Sequence, residues 1–236
     1  MGMTPYLNFM SYILQIETAT TVCSVALTSN GEVVGCRELD ERNIHAEVIN
    51  PYIDELVKTA GIAYNDLNAI AISCGPGSYT GLRIGVSTAK GLCYALGIPL
   101  IAVDTLASMA AGVDVTGLTP DTILCPMIDA RRMEVYTALF DLNGKQIEPV
   151  AAVIVNESSF DQYLETNKML FVGDGAEKCR AVLGSNPNAT FLPTFNNSAT
   201  NMTAVATQKL NTTQFEDVAY FEPFYLKDFI LGVKKA

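Results

Sequence analysis

Histidine is almost missing from this chain: His45 is the only one in 236 residues. That scarcity excludes any site built from two histidines and any His-Glu-x-x-His zinc protease, and a Ser-His-Asp triad would have to rest on this single ring. A lone histidine opening a helix reads first as a structural residue. The six cysteines include no Cys-x-x-Cys pair and sit among apolar neighbours, so they read as reduced core residues. No apolar run reaches the ~18 residues that a membrane helix needs, and the chain does not open with a basic, apolar, small-residue signal sequence; the expected compartment is the cytoplasm, with no membrane partner. Cations are also few. With 15 Lys and Arg against 25 Asp and Glu the net charge is -10, whereas a chain that grips nucleic acid unaided clusters its cations to displace counterions. The short pairs Arg131-Arg132 and Lys234-Lys235 read as solvated surface.

What the chain does have is apolar residues, 49% of the total, enough for a large core or two lobes of about 100 residues each. Residues 1–11 lack periodicity and read as a tail. Residues 12–17, 22–29 and 32–39 read as strands, the last two joined at Asn30-Gly31, a pair suited to the positive φ angles of a tight hairpin. Residues 44–60 carry apolar positions at three- and four-residue spacing before Gly61. Pro51 either kinks that helix or starts a shorter one. A buried strand at 67–74 leads through Gly75-Pro76-Gly77 into a helix at 78–96, with Ser78 as N-cap, and a strand at 99–103 follows. After a helical stretch at 105–112 the pattern restarts: strands at 123–128, 134–140 and 146–155, a helix at 158–166, a strand at 169–172 and a helix at 176–183. The Asn/Thr-rich stretch 186–203 reads as loops, 204–210 as a helix and 220–229 as an extended tail. A meander followed by alternating helices and strands thus occurs twice, predicting two similarly built α/β lobes at 12–110 and 111–211, with 212–236 returning toward the first.

The segment Gly75-Pro-Gly-Ser-Tyr-Thr-Gly-Leu-Arg83-Ile-Gly85 is the most distinctive. Its glycine spacing fits neither a Rossmann fingerprint nor a Walker loop. The amides at this helix start suit an anion, and a tight strand-to-helix turn explains the glycines equally well. Gly81, Gly85 and Ala89 recur every four residues as a smooth stripe; helix glycines cost up to about 1 kcal/mol each, which close packing inside the lobe or against a partner helix would offset. Glu17 and Asp129 follow the first strand of each half. They are candidates to coordinate Mg²⁺ beside a nucleotide across a cleft, or each caps its own loop. Gly173-Asp174-Gly175 resembles a nucleotide-contacting turn, although Asp174 repels phosphate unless a metal intervenes.

Taken together, residues 13–20 (ILQIETAT), His45-Ala-Glu47, the Gly75 to Gly91 segment, Asp129-Ala-Arg-Arg132, Gly173-Asp-Gly175 and Pro223-Phe-Tyr-Leu-Lys227 resemble the TsaB (YeaZ) family from about residue 12 onward. The run of residues 73–87, SCGPGSYTGLRIGVS, is the most specific of these. The resemblance implies a two-lobed actin-like ATPase fold of the ASKHA, ribonuclease H-like kind, with duplicated β-β-β-α-β-α lobes. It implies a non-catalytic scaffold for threonylcarbamoyl transfer to adenosine 37 of tRNA. Such a subunit pairs with the transferase TsaD, helps the ATPase TsaE assemble, and meets tRNA only through the complex; without its partner it forms homodimers through the same surface.

The paralogue TsaD binds metal through a His-x-x-x-His helix. The matching positions here are His45 and Ile49, and isoleucine cannot ligate a metal. The implied partner surface is formed by the helices at 44–60 and 78–96, with His45, Ile49, Ile53, Gly81, Arg83, Gly85 and Ala89 as its candidate residues. On that reading Gly85→Leu breaks partner binding and spares the fold. Glu17, Asp129, Gly173 and Gly175 are the candidate nucleotide contacts. No cofactor of its own is expected, ATP and Mg²⁺ being held weakly or at the partner interface. The alternative is an autonomous ATP-dependent phosphotransferase or an M22-type metallopeptidase.

Overall fold

The computed structural model describes residues 10–192 and 194–227; the tail expected at 1–11 and the end of the segment expected at 220–229 fall largely outside them. Two five-stranded sheets carry the same topology. In the first, β1 (Tyr12–Glu17), β2 (Val22–Ser29) and β3 (Glu32–Asp40) form an antiparallel meander. Strands β4 (Leu67–Ser73) and β5 (Leu100–Val103) add parallel to β1, giving the order β3-β2-β1-β4-β5. The second sheet repeats this with β6 (Thr122–Asp129), β7 (Glu134–Phe140), β8 (Gln146–Ile154), β9 (Lys168–Val172) and β10 (Ala189–Phe191) in the order β10-β9-β6-β7-β8. The duplicated α/β architecture expected from the repeated meander is present. Asn30 and Gly31 both take positive φ, 53° and 83°, as the first hairpin requires.

Helices α1 (His45–Thr59) and α2 (Tyr79–Leu96) cover one face of the first sheet, burying Ile49, Ile53, Val86 and Cys93 against Leu14, Val25, Ile70 and Ile72. Pro51 lies inside α1, which runs through it as one helix. The carbonyl that loses its donor belongs to Glu47, an exposed residue on the outer side of the helix, where the loss is tolerated. Ser78 caps α2 by accepting the Gly81 N–H at 3.2 Å, and Gly97 ends it at φ 67°.

The last helix of each half packs on the other half's sheet. Helix α3 (Thr105–Ala111) sets Leu106 and Met109 against Leu124, Ile128 and Val172 of the second sheet. Helix α6 (Thr203–Asn211), with the 3-10 turn Ala199–Met202 before it, sets Met202 and Ala206 on Ile13, Ala69, Ala71 and Ile101 of the first. The expected division at residues 110 and 211 therefore does not follow the packing: α3 leaves the first sheet early, and the return to it begins before α6. Periodicity shows that a helix has an apolar face but not which sheet covers it. Helices α4 (Asp161–Leu164) and α5 (Ala176–Leu183) close the outer face of the second sheet. Helix α4 is far shorter than the expected 158–166. Asn156 Oδ1 accepts the Ser158 N–H at 3.0 Å, and Phe160 takes φ 69°, which holds the chain out of helix until Asp161.

The glycine stripe faces inward. Gly81, Gly85 and Ala89 are buried, and a β-carbon on Gly81 would overlap the Thr18 carbonyl oxygen, while one on Gly85 would overlap the Thr18 hydroxyl. The expectation of a stripe open to a partner helix is therefore corrected: these residues let α2 press onto the chain's own β1–β2 turn. Gly91, one turn beyond Ser87 on the solvent side, has open space around it. Gly81→Ala is expected to lose about 1–3 kcal/mol of stability through overpacking, whereas Gly91→Ala gains up to ~1 kcal/mol of helix propensity. Urea denaturation of both variants checks this; equal stabilities would contradict the inward assignment.

Candidate functional site

The strand ends and helix starts of the two halves meet around a cleft of about 770 Å³, whose walls include Thr20, Arg42, Ser78, Asp129, Arg131 and Asp174. The floor on the first side is the turn after β1. There the Ser78 N–H donates to the Ala19 carbonyl at 2.7 Å, and His45 Nε2 donates to the Thr20 carbonyl at 3.0 Å. A carbonyl can only accept, so the proton sits on Nε2 in this contact. One short turn thus fixes the starts of both α1 and α2. The histidine is buried and committed to this bond.

Glu17 and Asp129 do not face each other across the cleft. Glu17 is fully buried behind the turn, where its Oε1 accepts the Ala19 N–H at 2.6 Å and the Ser73 hydroxyl at 2.8 Å. Asp129 does line the cleft, but it accepts the Arg131 N–H at 2.8 Å and pairs with Lys178. Its own N–H donates to Asp174 at 2.9 Å. Loop capping, the second of the two readings open at the sequence level, describes both carboxylates. Gly173, at φ 101°, abuts the Met127 carbonyl and Met109, and Gly175 abuts Ile128; both glycines serve close approach of the β9–α5 turn to β6. Among the described residues no group of three His, Cys, Asp or Glu side chains is placed to hold a metal. With Glu17 enclosed and Asp129 paired, these residues do not fit the Mg²⁺-nucleotide arrangement entertained for them.

Of the seven candidate partner residues, six are buried inside the first half: His45, Ile49, Ile53, Gly81, Gly85 and Ala89. Arg83 alone is exposed, and it is held within the chain. Its guanidinium stacks over the Tyr79 ring at 4.2 Å, and its Nε donates to the Tyr225 hydroxyl at 3.2 Å, with the two tyrosine rings 4.8 Å apart. This clamp, together with Lys90 donating to the carbonyls of Ala219 and Phe221 and the Phe224 N–H donating to Cys74, ties the C-terminal segment along α2. Sequence reading singled out the Pro223 to Lys227 motif without this role, because the contact spans 142 residues. Ser73 stood in the 73–87 run without its contact to Glu17 being legible, and Asn197, also near Glu17, left no local signal.

A family model described as "TsaD: tRNA N6-adenosine threonylcarbamoyltransferase" matches residues 40–229. The tRNA threonylcarbamoyladenosine biosynthesis protein TsaB of Escherichia coli (strain K12) is 33% identical over 225 residues, 92% of this chain and 94% of that one. The chain belongs to the TsaB (YeaZ) family. The TsaB of Bacillus subtilis (strain 168) is 36% identical over 138 residues, 58% of each chain. Among solved structures, YeaZ from Pseudomonas aeruginosa superposes with a TM-score of 0.78 at 26% identity, covering 92% of this chain and all of that one. Component A of the (R)-2-hydroxyglutaryl-CoA dehydratase of Acidaminococcus fermentans, with a TM-score of 0.50 at 11% identity over 85% of this chain and 99% of that one, shares the fold alone. The TsaB-family chain thus has the two-lobed actin-like ATPase fold. Among its described residues no helix is long and apolar enough to cross a membrane.

Burial raises the Glu17 carboxyl from its ordinary 4.5 to about 7, against the opposing pull of its hydrogen bonds. The folded protein then binds a proton that the unfolded chain releases, so between these two values stability falls as pH rises, and above about 7 the loss is complete. Glu17→Gln keeps the accepting oxygen and removes the charge. Its stability relative to wild type is expected to improve from pH 5 to pH 8 by roughly 2–3 kcal/mol, read from thermal melts at both pH values. A constant difference would contradict the raised carboxyl.

Proposed function

We propose that this chain is a non-catalytic subunit in the biosynthesis of threonylcarbamoyladenosine at position 37 of tRNA. It docks on TsaD, stabilises the active arrangement of that enzyme and helps TsaE assemble, while tRNA is held by the other subunits. The observation that carries this reading is the state of the reactive candidates. His45 is spent on the Thr20 carbonyl, Glu17 is enclosed, and Asp129 is paired with Lys178, so none of these three candidates stands as a free base in the cleft. The acidic balance agrees with an indirect role toward tRNA.

The docking face is the solvent side of α1 and α2, not the inward stripe. On α2 it presents Ser87, Gly91 and Tyr94, the last 87% exposed, and it is edged by the partly buried Val48 and Tyr52 of α1 and by Leu92. A glycine amid an exposed helical surface permits close approach of a second helix. In the absence of TsaD, a second copy pairs through the same face. Gly91→Arg adds bulk where nothing lies within 4 Å, so it is expected to leave the melting temperature within a few degrees of wild type. The same variant is expected to abolish co-elution with TsaD in size-exclusion chromatography. Retained co-elution would remove this face from the proposal. Gly85→Leu is no longer a clean test, because it strikes Thr18 and the core. Threonylcarbamoyl transfer or peptide cleavage by the isolated chain would overturn the non-catalytic reading.

A further inference from the structure

Behind the cleft lies a buried polar cluster that the docking reading leaves unused. Glu17 Oε2 has no hydrogen-bond partner, although Oε1 of the same carboxyl has two. Asn197, 4% exposed, has neither its amide oxygen nor its amide nitrogen satisfied, and its side chain acts on the Glu17 carboxyl. Thr18 Oγ1 is likewise buried without a partner. An unmet buried polar atom costs about 1–3 kcal/mol, so the unmet atoms of Glu17 and Asn197 mark a place where partners change.

Glu17 ends β1 in the first sheet. Asn197 lies on the stretch by which the chain returns from β10 of the second sheet, and the next residues anchor that stretch: Ser24 Oγ accepts the Ala199 N–H at 2.9 Å and lies 3.4 Å from Ser198 Oγ.

We propose that Glu17 and Asn197 form a proton-binding site at the junction of the two sheets, in which the asparagine amide turns over as the carboxyl gains or loses its proton. With the proton on Oε2, the carboxyl donates to Asn197 Oδ1. With the proton gone, Asn197 Nδ2 donates to the carboxylate. A half-turn of the amide serves both states, because its two ends are similar in size and opposite in hydrogen-bonding character. No further reactant is needed: the proton comes from and returns to water.

The surroundings favour a near-neutral transition. From β2 the ionisable neighbour is the Cys23 thiol, itself pushed up to about 11 by burial and by Glu17. β4 brings only the Ser73 hydroxyl, and α2 brings Gly81 and Gly85 against Thr18. His45 of α1 is turned to the Thr20 carbonyl, and Arg83 is turned outward to Tyr79 and Tyr225. Across the cleft, Asp129 is paired with Lys178. Among the described residues no lysine or arginine pairs with Glu17, and burial lifts it to about 7. Since the Ala19 N–H bonded to Glu17 belongs to the turn that fixes α1 and α2, the proton is felt at both helix starts as well as at the returning stretch.

Carbon-13 NMR of the Glu17 carboxyl and nitrogen-15 NMR of the Asn197 side-chain amide, followed from pH 5 to 9 in the full chain, test the site. Both signals are expected to move with one shared midpoint near 7. In Glu17→Gln the Asn197 signal should stay flat, and in Asn197→Ala the Glu17 midpoint should shift upward, because the carboxylate loses its donor. A Glu17 midpoint in the ordinary carboxylate range, an Asn197 signal that ignores pH, or one that still titrates in Glu17→Gln would overturn the proposal. Should Glu17→Gln fail to fold, the wild-type and Asn197→Ala titrations decide alone. The readout needs no TsaD, so its failure is distinct from failure of the docking face.

Discussion

The structure depends on how closely α2 lies against the turn that follows β1. Backbone meets backbone there: Gly77 and Gly81 sit where any side chain would collide with Ala19 and Thr18, and the Ser78 N–H closes the contact on the Ala19 carbonyl. Because His45 reaches the Thr20 carbonyl from the other helix, three consecutive turn residues hold the starts of α1 and α2 together. The glycines carry a propensity cost that this contact offsets. Helix position and turn conformation are therefore a single feature.

That contact also explains why His45 and Glu17 are not free at the first wall of the cleft. A turn pressed against a helix leaves its peptide groups paired with one another. The carboxylate at its root points away from solvent, to Ser73 and the Ala19 amide. On the second wall Asp129 and Asp174 perform the same stabilising task for the β6 and β9 turns, with Lys178 neutralising one of them. Carboxylates at matching places in two halves of a duplicated fold have thus been drawn into different environments, one enclosed and near neutrality, one ion-paired and exposed. The duplicated topology is preserved while the electrostatics have diverged.

The exposed faces of α1 and α2 and the C-terminal segment form the other half of the functional picture. The Arg83 clamp on Tyr79 and Tyr225 lays that segment along α2, so the surface next to the proposed docking face includes residues more than 120 positions away in sequence. At the proposed docking face a partner would meet a composite surface whose shape is set by stacking and by Lys90 on two backbone carbonyls.

Much of this was legible locally. Alternation and branched residues gave the first strands, Asn30-Gly31 the first hairpin, Ser78 the start of α2, and the repeated meander the two-lobed α/β fold, because each signal depends on neighbours within a few residues. The motif at residues 73–87, together with the shorter segments around it in order, pointed to the family. The four-residue recurrence of Gly81, Gly85 and Ala89 was equally plain, but periodicity fixes only that these residues share a face. Which way that face points was decided by Thr18, sixty-odd residues earlier. Likewise Glu17 and Asp129 are recognisable as strand-end carboxylates, while enclosure by Ser73 and pairing with Lys178 arise only when distant strands and helices assemble. Sequence determined the elements and the lineage; desolvation and long-range contact, which exist only in the assembled chain, decided which residues are buried, which are charged, and which surface is left for a partner.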